Sequence, residues 1–226
     1  MVYPEDLLFQ GKLVGNKLRG TITVQPGNAW AWTAVRAPQL DRTSVTQWGK
    51  TIRLFNGKDT SGWRFSKSET PNNWRVQNGL LTRTASGSDI ITNKKFNDFK
   101  LHIEFNCDPH CNSGVYLRGR YEVQITDVTE NVPPNRRGGA VYGFIAPTPE
   151  IPITPGKWHT YDITLIGRTV TVVQDGQMVI DKQEIPGPTG GALDSHESLA
   201  GPIYLQGSEK AGNTSFRNIT ITPAIH

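Results

Sequence analysis

The chain has 226 residues, 36% of them hydrophobic and 19% charged, with a net charge of +4. That length suits one large all-β domain, or a domain and a half, and the apolar fraction is enough for a core. The basic residues are scattered, with Lys94-Lys95 and Arg136-Arg137 as the tight pairs. There is no basic stripe interleaved with aromatics, so nucleic acid is excluded as a partner. No run approaches the ~20 apolar residues of a membrane span, so a membrane is excluded as well.

Gly 23 and Pro 15 supply many turn residues, and Val, Ile and Thr are plentiful. The mixture favours short strands over helices. Residues 1–50 read as an N-terminal β extension and linker. A hairpin is predicted around Gly15-Asn16, a further strand from Trp30 to Val35, and a linker-like loop from Gln39 to Gly49. This region begins mid-architecture, which implies a missing upstream region. The opening Met-Val-Tyr-Pro-Glu-Asp lacks a leader pattern, so the protein is either cytoplasmic or stripped of its leader.

Residues 51–226 read as the main domain. NWRVQNGLLTRT (73–84) is a hairpin with Asn78-Gly79 at its tip. In DFKLHIEFN (98–106), Leu101, Ile103 and Phe105 alternate with His102, Glu104 and Asn106, as in a half-buried strand. Cys107 and Cys111 follow, flanking Asp-Pro-His. They fit a disulfide, two free thiols, or a metal site with His110, although so tight a loop supplies few ligands. A disulfide is the expectation for material folded under oxidising conditions, and it would imply an oxidising compartment.

The most informative stretch is NSGVYLRGRYEVQITD (112–127). Asn-Ser-Gly reads as a turn. Alternation then puts Val115, Leu117, Tyr121, Val123 and Ile125 on apolar positions. Tyr116, Arg118, Glu122 and Gln124 fall on polar ones. An aromatic, a guanidinium, a carboxylate and an amide on one sheet face can grip hydroxyl groups and move protons. A Pro/Asn/Arg/Gly loop (130–139) and a short extended AVYGFI (140–145) come next. Residues 157–181 hold three strand-like runs, with turns at Gly167-Arg168 and Asp175-Gly176. GPIYLQG (201–207) and SFRNITITP (215–223) close the chain. Many short strands with frequent turn signals predict an all-β sandwich.

The ordered motifs LFNGKD, SGW, NWRVQNGLL, FNDFKLHIEF, NSGVYLRGRYEVQITD, GKWHTYDITL, VTVVQDGQ and GPIYLQG…FRNITITP closely resemble the 3-keto-disaccharide hydrolase domain family over residues 52–223. The resemblance implies a concanavalin A-like jelly-roll β-sandwich of two antiparallel sheets. It implies a bacterial protein, periplasmic or secreted. It also implies cleavage of glycosides already oxidised to a ketone at sugar carbon 3. Fold alone does not fix that activity, and a non-catalytic, lectin-like carbohydrate-binding module is the alternative.

The chemistry such a family needs is a base for the C2 proton, a donor for the enolate oxygen and an acid for the leaving oxygen. Glu104 and Glu122 are the candidate bases, and Arg118 the candidate enolate stabiliser. Gln124, Gln206, Tyr142, Tyr116, His102 and His110 are candidate substrate contacts. Glu104, Arg118, Glu122, Gln124 and Gln206 are expected to converge on one concave sheet face. Arg217-Asn218 is expected to be structural. No organic cofactor is expected, and a divalent metal on the C3 ketone is left open. Family members carry Asp-His-Gly after Leu-Gln-Gly, whereas this chain reads Ser208-Glu209-Lys210 after Gly207. Glu209 is the residue that would replace the histidine.

Overall fold

The structure is a computed structural model and describes residues 7–24, 28–36, 40, 44–67, 73–84, 87–207 and 212–225. Glu209 and the segment that departs from the family motif lie outside the described residues. The chain divides into two compact units, Met1–Gln39 and Leu40–His226.

The first unit is a three-stranded antiparallel sheet of β1 (Leu7–Val14), β2 (Lys17–Val24) and β3 (Asn28–Val35). Its first turn is Gly15-Asn16, as the sequence predicts, with Gly15 in the left-handed region at φ 63°. Register and alternation put Phe9, Leu13, Leu18, Ile22, Trp30 and Trp32 on one face.

The second unit is an antiparallel β-sandwich. Its strands, in chain order, begin with β4 (Gln47–Trp48), β5 (Ile52–Arg53), β6 (Trp63–Phe65), β7 (Trp74–Gln77) and β8 (Leu80–Arg83). They continue with β9 (Ile90–Thr92), β10 (Phe99–Cys107), β11 (Asn112–Leu117), β12 (Tyr121–Thr126) and β13 (His159–Ile166). The last are β14 (Thr169–Gln174), β15 (Gln177–Glu184), β16 (Tyr204–Leu205) and β17 (Thr214–Ile225). One sheet has the order β15-β14-β13-β10-β17-β8-β7, with β4 and β5 also on β17. The other has the order β12-β11-β16-β9-β6. This is the expected all-β jelly-roll sandwich of two antiparallel sheets.

The sandwich closes because both sheets present alternate apolar residues inward. Phe99, Leu101, Ile103 and Phe105 of β10 share one buried cluster with Val115, Leu117, Tyr121, Val123 and Ile125 of β11 and β12. Each fully buried large apolar side chain contributes roughly 1.5–3 kcal/mol. The hairpin tips fall where expected, at Asn78-Gly79 and Asp175-Gly176, all four residues with positive φ.

Three local readings change. The expected Gln39–Gly49 linker is not all loop, since β4 pairs with the end of β17. Asn112-Ser113-Gly114 is not a turn but the start of β11, paired to β12 from Asn112↔Thr126 onward. AVYGFI is not a strand: it folds back on itself through isolated bridges from Val141 to Val123 and to Ile145. Cys107 and Cys111 are disulfide-bonded, with Cα atoms 5.8 Å apart.

Candidate active site

The β11–β12 hairpin builds the site. Since Val115, Leu117, Tyr121, Val123 and Ile125 enter the core, their alternates face the other way. Register then sets Tyr116 against Glu122, Gly114 against Gln124 and Asn112 against Thr126. Loops from 130–142 and 187–193 cover this face, so it is a cleft rather than a solvated surface. An inner chamber of about 160 Å³ is lined by Asn112, Tyr116, Glu122, Gln124, Tyr142, Gly190, Gly191 and Gln206. It continues, past Asn112, Gln124 and Tyr142, into an outer chamber of about 390 Å³.

Glu122 is the chemical centre of the inner chamber. It is 3% exposed, and among the described residues no cation pairs with it. Its backbone is fixed on both sides: its N–H donates to Thr189 Oγ1 at 3.0 Å, and its carbonyl accepts from Tyr142 N–H at 3.0 Å. Its carboxyl lies over Gly114, where any Cβ would collide with it. The glycine of the NSG motif is therefore the notch that admits the carboxyl. Burial raises the Glu122 pKa to about 8, opposed by the Tyr116 hydrogen bond and assisted by the negative charge of Asp89.

Tyr116 explains more of this environment. Its hydroxyl lies 2.9 Å from Glu122 Oε2 and 2.7 Å from the Gly190 carbonyl oxygen. A phenol has one proton to donate. With Glu122 protonated, the carboxyl donates to the phenol and the phenol donates to Gly190. With Glu122 ionised, two acceptors compete for one proton. The Gly190 carbonyl thus favours the neutral carboxyl. Gly191, at φ 78°, brings the loop close: a Cβ there would stand 2.5 Å from the Tyr116 hydroxyl. Tyr116 also stacks on Tyr204, with ring centres 4.1 Å apart and planes 7° from parallel. Burial pushes both phenol pKa values up, and the charges of Glu122 and Asp89 push the same way. Both phenols therefore stay protonated donors.

Two amides complete the inner chamber. Gln124 Oε1 accepts its neighbour's Ile125 N–H at 3.0 Å, so its NH₂ is the group left for the cleft. Gln206 Oε1 is buried and without a hydrogen-bond partner among the described residues. A buried, unpartnered acceptor in a polar chamber is matched by a ligand hydroxyl.

Three candidates from the sequence fall elsewhere. Arg118 does not face the cleft. It lies in the β11–β12 turn at φ 53°, outside strand geometry, and its Nη2 donates to Tyr121 Oη (3.1 Å) and the Gly167 carbonyl (2.6 Å). It is a core strut and does not meet an enolate. Glu104 and His102 lie on β10, whose apolar alternates enter the core from the opposite sheet, so they sit on the far face of the sandwich. Arg217 Nε (2.6 Å) and Asn218 Nδ2 (2.7 Å) hold Glu104. Partial burial opposes these bonds, yet they keep its carboxyl below the ordinary range. His102 is bonded to Asp162 at 2.7 Å. The five-residue convergence is therefore reduced to Glu122, Gln124 and Gln206, with Tyr116 and Tyr142 beside them.

His110 lines the outer chamber rather than the inner one, in the disulfide-closed loop, with its backbone N–H on Asp127 Oδ2 at 2.9 Å. Sequence reasoning missed Asn112, the Gly190-Gly191 loop, and the Tyr204–Asp89 pair behind Tyr116. The Gly-Gly pair at 190–191 carried no positional signal, but the parity of Asn112 with Tyr116 did. Among the described residues no three His, Cys, Asp or Glu side chains converge as a metal site, and the disulfide removes both thiols as ligands.

The sequence and the fold have relatives. A 3-keto-disaccharide hydrolase of Bacteroides thetaiotaomicron is 24% identical over 167 residues, which is 58% of this chain. The chain spans 57% of that curated relative's length. The structure of a candidate glycosyl hydrolase from Parabacteroides distasonis superposes with a TM-score of 0.65 at 35% identity, covering 76% of this chain and 82% of that one. A second candidate glycosyl hydrolase from the same organism gives 0.60 at 26% identity, covering 76% and 98%. The sequence model of the 3-keto-alpha-glucoside-1,2-lyase-like domain matches residues 50–222, and the chain belongs to that family.

Proposed function

We propose that this protein cleaves glycosides carrying a ketone at sugar carbon 3, with Glu122 as the proton-transfer group. The observation that carries the proposal is the buried Glu122 carboxyl, set beside the Tyr116 hydroxyl in a sugar-sized polar chamber with no cation paired to it among the described residues. An ordinary glycosidase needs two carboxyl groups flanking the scissile bond. The described lining of the inner chamber offers one. A 3-keto sugar needs only one, because its ketone acidifies the neighbouring C2 proton.

In this reading the ionised Glu122 takes the C2 proton, and the C–H electron pair forms the enolate at C3. The enolate then expels the aglycone oxygen from C1. The protonated Glu122 returns its proton to that oxygen, and water then adds across the C1=C2 double bond, its hydroxyl to C1 and a proton to C2, to complete a net hydrolysis. The Gln124 NH₂ is the donor assigned to the C3 oxygen in place of Arg118, while Gln206 Oε1 takes a sugar hydroxyl. A base works best with a pKa near the operating pH, and burial supplies that here. An exported, bacterial setting suits the disulfide.

The test is incubation of wild type and Glu122→Gln with a 3-keto-glucoside and its unoxidised parent. The wild type should release aglycone from the ketone alone, and the variant should be about 10²–10⁴-fold slower. Binding of both sugars with no release by the wild type would make the protein a carbohydrate-binding module instead.

A further inference from the structure

Three neighbouring strands set a row of residues across the inner chamber. Gly114 of β11 pairs with Gln124 of β12. On the other side of β11, Leu205 of β16 pairs with Val115, and the next residue, Gln206, donates its N–H to the Gly114 carbonyl at 3.0 Å. Leu205 enters the core, so Gln206 faces the cleft, as Gln124 does. The row therefore reads Gln124, Gly114, Gln206, with the two amides about 10 Å apart, twice the strand spacing. Between them is the glycine notch that holds the Glu122 carboxyl.

The two amides are opposite in kind. Gln124 spends its Oε1 on Ile125 N–H and keeps its NH₂ for the cleft. Gln206 keeps a buried Oε1 with no hydrogen-bond partner among the described residues. Its backbone is held in place: Ser113 Oγ donates to its carbonyl at 2.9 Å, and the following Gly207 N–H donates to Asp89 Oδ1 at 2.8 Å. A buried acceptor fixed without a donor works against stability, and a ligand O–H satisfies it. A ketone oxygen only accepts, so the C3 oxygen cannot serve.

The two chambers orient the sugar. Asn112, Gln124 and Tyr142 line both, whereas Gln206, Gly190 and Gly191 line the inner one alone. The outer chamber is the larger and has room for an aglycone, so C1 points past Gln124. In a pyranose C4 lies across the ring from C1 and comes to the Gln206 end. C2 and C3 then lie between the amides, beside the Glu122 carboxyl and the Gln124 NH₂.

We propose that Gln206 is a specificity determinant whose Oε1 accepts the C4 hydroxyl, so that the substrates are chain-terminal 3-keto sugars with C4 free, and keto sugars linked through C4 are refused. This rests on the reading that the inner chamber takes the keto sugar. The test is calorimetric binding to Glu122→Gln, with chromatography confirming that the ligands stay intact. The ligands are methyl 3-keto-glucoside, its 4-deoxy and 6-deoxy forms, and its 4-O-methyl ether. The 4-deoxy form and the 4-O-methyl ether should each bind about 10–100-fold more weakly than the parent, and the 6-deoxy form within about threefold of it. Adding Gln206→Leu removes the acceptor, so the parent and the 4-deoxy form should then bind equally. Adding Gln206→Glu instead keeps an acceptor and should keep the preference. Equal binding of the parent and the 4-deoxy form to Glu122→Gln would overturn the proposal. So would a 4-deoxy penalty that survives Gln206→Leu, or a 6-deoxy penalty as large as the 4-deoxy one. If none of the ligands binds, the proposal falls together with the reading of the inner chamber. Because affinity is read without turnover, the expected order in a protein that never cleaves the ketone would remove the hydrolase reading and leave the role of Gln206 standing.

Discussion

Glu122→Gln should make the protein more stable at neutral pH while removing its activity. The folded state holds the Glu122 carboxyl at a pKa of about 8, against 4.5 for the unperturbed group. Between those values the folded chain keeps a proton that the unfolded chain has released. Stability therefore falls as pH rises through this window, by about 1.4 kcal/mol for each pH unit. At pH 7 the wild type has lost about 3 kcal/mol to this one group. A glutamine of the same shape carries no such penalty. In a domain of this size, that gap corresponds to a melting point roughly 6–12 °C higher for the variant. The assay is urea unfolding of both proteins at pH 5, 6, 7 and 8, with the disulfide intact. The amide must still fit against Tyr116, so the trend is more diagnostic than the absolute gap. The difference should be small at pH 5, grow to pH 8 and level off above it. A difference that stays flat with pH, or a variant less stable than wild type at pH 8, would refute the buried-carboxyl argument.

Further outcomes follow from the same geometry. The pH profile of kcat/KM should rise with pH, with a midpoint at about 8. Tyr116→Phe removes a hydrogen bond that favours the carboxylate, so it should move that midpoint upward; a downward shift would contradict the placement. Gly114→Ala puts a methyl group into the Glu122 notch and should cost about 1–3 kcal/mol in denaturant unfolding, with turnover falling as well. Glu104→Gln, on the far face of the sandwich, should keep turnover within a few-fold of wild type, and a hundredfold loss would return Glu104 to the chemistry. Replacing both Cys107 and Cys111 by serine should cost only about 2 kcal/mol, because the loop they close is so short.

Much of this protein is legible from alternation alone. The inward set of β10, β11 and β12 was readable because a strand's side chains alternate strictly and the core takes only apolar ones. Tyr116, Glu122 and Gln124 were readable for the same reason. Arg118 was not: it shares their parity, but the chain leaves strand geometry there, and a positive φ turns its side chain toward Tyr121 and Gly167. Glu104 failed differently. Its parity was right, but parity tells which side of its own sheet a residue occupies, not which sheet of a sandwich carries the cleft.

The residue strings of β10 and β12 hold no mark of that difference, but their surroundings do. On β10 the polar alternates are only partly buried and find partners on the same surface, as Glu104 does in Arg217 and Asn218. On β12 every residue is buried, polar ones included. Loops that lie far away in sequence cause this, especially the one placing Gly190 against Tyr116. Covering a carboxyl that has no cation among the described residues works against stability, and a structural role would have been served by a neutral side chain. The chain instead spends a glycine notch at Gly114 and a left-handed glycine at Gly191 to bring Glu122 and Tyr116 together under that cover. A position where local stability is given up so consistently is where function is expected. That argument, rather than charge or parity, separates Glu122 from Glu104.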